Sequence, residues 1–424
     1  MASFAGATAV AQAPAGPPLE ILHGFTLIDG LGGAPVPDAA LAVRGTTIVD
    51  AGPLRQVLSR VPPGERAVQL DLGGGYVVPG LIDAHVHLAT APDRDVAAQE
   101  LRRLFRSGIT AVRDMAGDAR LLGALALEAG TGRIESPDIY YAALVAGPSF
   151  FEDPRTRASA EGVPPGEAPW MQAITPETDL ALAVARARGT SASGLKIYAD
   201  LEAREVRRLT AEAHRQGLPV WAHAMVYPAR PLEVVRSGVD VVSHVCPMAW
   251  EAMAQAPDRY HHPDRPGYER VSAEAPVFEA LLREMAERGT ILDATLAMHP
   301  APAGRPAVCS RDFARALVRR AHALGVPIAA GTDFTTPADE PPALFRELEA
   351  LVEHGGLSPL DAIAAATRVA AAAIGLQDRI GTLQAGADVT FVLLAEDPTV
   401  EIGNLRTVRE VWKNAARHPV ADPR

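Results

Sequence analysis

The strongest constraint on this 424-residue chain is an eightfold alternation through its middle. Short apolar runs recur as "LIDAHVHL", "TAVRDMAG", "DIYYAALVAG", "GLKIYAD", "PVWAHAM", "VDVVSHV", "TILDATL" and "PIAAGTDF". Between them and after the last lie stretches of helical periodicity such as "DVAAQELRRLFRSG", "EAREVRRLTAEAHRQG" and "SPLDAIAAATRVAAAAIG", each read as one helix and most of them closed by glycine. Repeated strand–helix units predict a parallel sheet, and eight of them predict a (β/α)8 barrel. An open doubly wound sheet is the competing arrangement, but no G-x-G-x-x-G turn follows the first strand. The two ends have a different texture. "LEILHGFTLIDG" and "AALAVRGTTIVDAGP" near the start, and "IGTLQAGADVTFVLL" and "VREVWKNA" near the end, read as short strands between Gly/Pro turns. The predicted α/β organisation is therefore a TIM barrel over 78–378 and a small β-sandwich domain built from 21–77 plus 379–424. Residues 1–20 precede it as a leader or disordered start.

Composition narrows the function classes. Hydrophobic residues make up 48% of the chain, enough for a sizeable core, and the net charge is −11. A chain this acidic lacks the basic surface that sequence-independent nucleic-acid binding needs. Only two cysteines occur, Cys246 and Cys309, so no disulfide framework or Cys-x-x-Cys zinc site is present; a buried thiol is expected at each, with one bridge between them as the alternative. Any metal must then be held by histidine, carboxylate or something made from lysine. No apolar run reaches the roughly 18 residues of a membrane span. The start, "MASFAGATAVAQAPAGPPLE", ends like a secretory leader but lacks a basic beginning and a strong apolar middle. Export, to the periplasm or beyond, is the expectation drawn from it, with the cytoplasm as the alternative.

The polar residues of the barrel fall where a barrel does its chemistry, at the carboxyl ends of strands. His85 and His87 close the first strand on one face, because side chains two apart in a strand point the same way. Such a pair either finds hydrogen-bond partners in a core or holds a metal. Asp114 ends the second strand, Lys196 sits in the fourth, His223 ends the fifth, His244 the sixth and Asp333 the eighth. Each alone has a plain structural reading, Asp333 as a helix cap for example. Lys196 is the sharpest case, since lysine is almost never buried unpaired. It either pairs with a carboxylate, reaches the barrel rim, or has reacted with carbon dioxide to give a carbamate able to bridge two cations.

Taken together, "PGLIDAHVHL", Lys196, His223, His244 and "GTD" with Asp333 resemble the amidohydrolase superfamily, and the "GTLQAGADVTFVLL" tail resembles that family's terminal β-sandwich. Within it the chain is similar to the carboxylated-lysine, binuclear subgroup around Xaa-Pro dipeptidase, ochratoxinase and imidazolonepropionase. The resemblance implies two divalent metal ions, usually zinc. His85, His87 and Asp333 would hold the more buried ion, and His223 and His244 the outer one. Carboxylated Lys196 and a hydroxide would bridge them. The same resemblance implies hydrolysis of an amide bond by that hydroxide, with Asp333 taking its proton and passing it to the leaving nitrogen.

Around this centre, Tyr198 shares the face of Lys196 and is read as a substrate contact, as are Tyr227 and His299. Arg230 is placed at the rim, Arg113 and Asp114 are read as a structural ion pair, and His261 and His262 as loop residues. Two long loops, roughly 147–175 and 247–275, emerge from the catalytic end and are expected to shape a partly apolar pocket. The expected substrate is a small amide such as a dipeptide or an N-acyl amino acid. A lactone, carbamate or phosphotriester could meet the same centre, and a metal-free binding barrel is the reading from another class. Self-association into a homo-oligomer stays open.

Overall fold

A computed structural model of the chain describes residues 17–260, 271–298 and 310–420. Eight parallel strands run in chain order: β1 (Leu81–Val86), β2 (Ile109–Asp114), β3 (Asp138–Ala146), β4 (Gly194–Ile197), β5 (Val220–His223), β6 (Val241–Ser243), β7 (Ile291–Asp293) and β8 (Ile328–Ala329). Each pairs with the next, Lys196 opposite Trp221 and Ser243 opposite Asp293. The seam between β8 and β1 is drawn shut by backbone bonds from Ala84 N–H to the Ala330 carbonyl (2.9 Å) and from Asp333 N–H to the His85 carbonyl (2.8 Å). These are the eight segments the alternation predicts, and they form a TIM barrel.

The helices lie on the barrel for the reason their periodicity gives. Ala203–Arg215 buries Val206, Leu209, Thr210 and Ala213, a stripe at three- and four-residue spacing, and turns its charged residues outward. Pro276–Arg288 stops at Gly289, whose φ of 69° is the left-handed turn glycine takes without strain. No helix among the described residues is long and apolar enough to cross a membrane.

Both chain ends enter one mixed sheet. In spatial order it runs Ala416–Pro419, Val408–Lys413, Phe391–Leu394, Tyr76–Pro79, Leu19–Leu27, Val36–Arg44 and Thr47–Pro53, with Ala67–Asp71 also paired to Leu19–Leu27. The join is the antiparallel pairing of Phe391–Leu394 with Tyr76–Pro79, which leads directly into β1. Phe391 stacks on Trp412 in this sheet's own core.

Four sequence expectations need correction. The segment 147–175 is not a structureless loop: it holds the 3-10 turn Pro148–Glu152, the helix Pro154–Ser159 and the short strands Glu167–Ala168 and Met171–Ala173. "SPLDAIAAATRVAAAAIG" is two helices, Pro359–Ala365 and Arg368–Ala373, because Thr367 leaves helical geometry (φ −132°, ψ −93°) and its hydroxyl donates to the Ile363 carbonyl. Arg113 and Asp114 do not pair with each other. Adjacent residues in a strand face opposite ways; Arg113 reaches Asp293 at 3.1 Å, while Asp114 accepts the N–H groups of Leu88 and Ala116. Cys246 is disulfide-bonded, not a thiol. His261, His262, His299 and Cys309 lie outside the described residues, as does the greater part of 1–20.

Candidate metal centre

The floor of the site is set by paired positions on neighbouring strands. Gly194 and Lys196 share one face of β4, as Trp221 and His223 share one face of β5. A Cβ at Gly194 would meet the Trp221 ring at 2.7 Å, so the missing side chain makes room for the indole. Trp221 is fully buried and donates its indole N–H to the Ala373 carbonyl at 2.8 Å. Above this floor, Lys196 and His223 reach a cavity of about 390 Å³ at the carboxyl ends of the strands. His85, His87, Tyr198, Tyr227, His244 and Asp333 line the same cavity.

Asp333 is the centre of the cluster. Its Oδ1 lies 3.0 Å from His87 Nε2 and 3.3 Å from His85 Nε2, and its Oδ2 lies 3.8 Å from His244 Nδ1. Ligand atoms of His85, His244 and Asp333 all fall within 4.8 Å of one another, which suits one metal ion. The remaining imidazoles follow closely: ring centres are 4.9 Å apart for His85 and His244 and 4.6 Å for His244 and His223. His244, Thr295 and Asp333 all take left-handed backbone conformations, with φ of 75°, 47° and 58°. Such conformations in non-glycine residues cost energy and gather at functional sites.

Electrostatics divide the histidines. Burial alone would lower the His85 pKa, but the carboxylates of Asp333 and Asp293 outweigh it and hold it above the ordinary value. Burial pushes His223 down to about 3, helped by Lys196, and drives His244 well below its usual value. Both are therefore neutral donors at neutral pH. His223 Nδ1 is buried and has no hydrogen-bond partner among the described residues. An orphaned buried imidazole nitrogen is costly unless something coordinates it. Burial raises and the surrounding histidines lower the Asp333 pKa; the histidines win, and the group is a carboxylate. Lys196 is buried with a long 3.5 Å contact to Ser243 Oγ and its Nζ 5.9 Å from the Tyr198 ring centre, and burial lowers its pKa to about 7. The neutral imidazoles of His223 and His244, a carboxylate and an amine that loses its proton near pH 7 form a donor set that fits divalent ions of the zinc type.

Behind the ligand positions lies a brace that the sequence reading misses. Asp293, buried in β7, receives His85 Nδ1 at 2.7 Å, Ser243 Oγ at 2.9 Å and Arg113 Nη2 at 3.1 Å, all on Oδ2. A carboxylate on Nδ1 fixes the imidazole's tautomer and aims Nε2 at the site. Thr295 does the corresponding work for His244, hydrogen-bonded to its Nδ1 at 3.0 Å. Thr295 is carried by a turn whose N–H groups at Leu296 and Ala297 are held by the buried carboxyl group of Glu347. Asp83, two residues before His85 on the same face, accepts from the Thr332 hydroxyl at 2.9 Å.

Gly331 in "AGTD" is explained by the same packing. A Cβ there would meet the Asp293 carboxylate and lie 2.7 Å from His85 Cβ. Gly331→Ala should therefore lower stability by about 1–3 kcal/mol and weaken metal retention. Thermal melting beside metal analysis checks this; a wild-type melting temperature with full metal content would rule it out.

The cavity also contains residues that no sequence signal singled out: Thr90, Met115, Arg155 and Tyr260. Arg230 does not line it. Its guanidinium donates to the Met253 carbonyl (2.9 Å) and the Ala254 carbonyl (3.3 Å) and so ties down the loop after β6, in keeping with a rim position.

With this geometry in place, comparison with known proteins is direct. A profile of the amidohydrolase family matches residues 76–420. Imidazolonepropionase of Symbiobacterium thermophilum is 28% identical over 400 residues, covering 85% of each chain. Ochratoxinase of Aspergillus niger is 42% identical over a 93-residue stretch, 21% of this chain and 18% of that one. Among solved structures, A. niger ochratoxinase superimposes with a TM-score of 0.73 at 21% identity, covering 96% of both chains. A Xaa-Pro dipeptidase with methionine bound in its active site gives 0.71 at 20% identity, covering 95% of this chain and 100% of that one. The barrel, the terminal sheet and the profile match agree: the chain belongs to the amidohydrolase family.

Proposed function

We propose that this amidohydrolase cleaves an amide, peptide-like bond in a small substrate such as a dipeptide or an N-acyl amino acid, and that it uses two divalent ions, zinc foremost. His85, His87 and Asp333 would hold the inner ion and His223 and His244 the outer, with Lys196 between them as its carbamate. The observation that carries this reading is the convergence of all six residues on one cavity at the strand ends. Ions held there would polarise the scissile carbonyl and make a water nucleophilic at neutral pH. The chain's own residues supply the rest. Asp333, a carboxylate held low by its histidines, accepts the water's proton and returns it to the leaving nitrogen. Asp293 and Thr295 keep His85 and His244 aimed while this happens. Tyr198, stacked between Phe150 (4.4 Å) and His223 (4.9 Å), bounds the substrate on one side, and Tyr227 lines the cavity as a second contact.

The pH dependence of assembly follows from two groups of the same sign. Lys196, with its pKa near 7, is protonated below that value and neutral above it; only the neutral amine reacts with carbon dioxide. His85, held above its ordinary value, must also lose a proton to free Nε2 for a metal. Reloading of metal-depleted protein with zinc and bicarbonate should therefore speed up by about tenfold between pH 6 and pH 8. A reloading rate independent of pH would reject the carbamate.

The test of the function itself is metal per chain, before and after chelation, beside hydrolysis of a panel of dipeptides and N-acyl amino acids. Near two ions per chain with chelator-sensitive amide cleavage supports the proposal. Metal without amide cleavage would move the reading to lactone, carbamate or phosphotriester substrates. Folded protein that takes up no metal would overturn it.

A further inference from the structure

The cavity has one side that the metal chemistry does not use. The helix Pro154–Ser159 brings Arg155 into the lining, beside Tyr198 and Tyr260. Asp153 caps that helix and takes Arg155 by one edge only. Its carboxylate accepts from Nε at 3.1 and 3.2 Å and from Nη2 at 2.8 Å. Nη1 lies outside that fork, and the guanidinium has the Tyr260 side chain as a further hydrogen-bond partner, so it is held in place from two sides while half exposed. Arg155 is half exposed, with side-chain accessibility of 54%, whereas Asp153 beneath it is buried at 5%. Arginine stays charged at any working pH. Among the described residues that line the cavity, it is the one permanent cation, since Lys196 is poised to be neutral.

The surroundings are fastened to keep this arrangement. Asp200, in a left-handed backbone conformation, accepts the Tyr260 N–H on Oδ1 and the Ser149 hydroxyl on Oδ2, both at 2.7 Å. One carboxylate thus ties together the segments that follow β3, β4 and β6. Gly147 permits this closeness, because a Cβ there would collide with the Asp200 carbonyl. The Tyr198 and Tyr260 hydroxyls lie 3.4 Å apart at the pocket wall, and both rings pack against His223, with ring centres at 4.9 and 6.1 Å.

We propose that Arg155 is the specificity-determining residue that binds the free carboxylate of the substrate's amino-acid half. The proposal rests on the amide-hydrolase reading and deepens it: the preferred substrate carries a carboxylate on the carbon next to the leaving nitrogen. Covalent geometry supports the placement. In such a substrate the scissile carbonyl carbon and the carboxylate carbon are three bonds, about 3–4 Å, apart. A carbonyl at the ligand cluster therefore keeps its carboxylate inside the same cavity, whose lining includes both that cluster and Arg155. A half-exposed arginine already oriented by a carboxylate and a tyrosine is well suited to such a ligand. The Tyr198 and Tyr260 hydroxyls can donate to the same oxygens. Arg230 is not a rival, because backbone carbonyls occupy it.

Matched probes separate the charge from the shape. L-Leucine and L-leucinol differ only in carboxylate against hydroxymethyl, and alanyl-leucine and alanyl-leucinol carry the same difference across a cleavable amide. Binding of the first pair is measured calorimetrically on metal-loaded wild type, Arg155→Met and Arg155→Lys; cleavage of the second pair is followed on the same proteins. Wild type should bind leucine at least about tenfold more tightly than leucinol. Arg155→Met should erase that preference, and Arg155→Lys should restore part of it. KM for alanyl-leucine should rise about 10–100-fold in Arg155→Met, with kcat within about threefold, unchanged metal content and little effect on alanyl-leucinol. Equal binding of both probes by wild type, or an acid preference that survives Arg155→Met, overturns the proposal. If wild type cleaves no amide yet binds leucine through Arg155, the amide-hydrolase reading fails and the carboxylate anchor stands.

Discussion

Asp333→Asn should slow turnover by roughly 10²- to 10⁴-fold while KM moves by no more than about threefold. Asparagine keeps the shape of aspartate and can still place an oxygen near His85 and His87. It cannot accept a proton at neutral pH. In the protein the carboxylate is buried, which by itself would favour its protonated form, but the histidines hold it ionised. Its resting state is thus that of a base. Metal content is measured alongside, because a variant that lost its ions would fail for a different reason. Unchanged turnover in a fully loaded Asp333→Asn enzyme would remove Asp333 from proton transfer altogether.

Lys196→Ala should lose most of its bound metal and at least about 10²-fold in activity, yet remain folded. The expected tolerance of the fold comes from burial: a lysine whose pKa falls to about 7 is paying for desolvation, and alanine removes that cost along with the side chain. The space left is the size of a short acid. Formate or propionate added with zinc should therefore restore part of the activity by supplying a two-oxygen ligand in place of the proposed carbamate. Full metal occupancy and full activity in Lys196→Ala would eliminate the bridging role; unfolding would point instead to a structural lysine.

What the sequence reveals of this site depends on how local each signal is. His85, His87, Lys196, His223, His244 and Asp333 each stand at or near the end of an apolar run, and barrel topology alone then brings them to one face. Asp293 was half legible: a carboxylate inside "TILDATL" has to be buried, but its partner His85 lies 208 positions away and only the closed barrel names it. Arg155 gave no usable sign. In "FEDPRTR" it reads as one more basic residue after a capped helix start, and its place in the cavity depends on how the segment after β3 folds back. The error over Arg113 and Asp114 has the same origin, since adjacency in sequence is separation across a strand. The split at Thr367 is similar: alanine-rich periodicity carries on through it, and only the backbone shows the break.

The brace at Asp293 has a consequence for how such a protein can change. Donors from β1, β2 and β6 converge on a single oxygen of a residue in β7, so half of the barrel's strands meet at one atom. Any substitution there touches the aim of the His85 imidazole and the cohesion of the fold at once, and neither can be tuned without disturbing the other. Arg155 and Tyr260 sit on segments beyond the strand ends, outside that knot. The molecule is thereby divided into a part that inherits and a part that explores. A library seeking new substrates should randomise the segments after β3 and β6 and leave the interior of β7 alone.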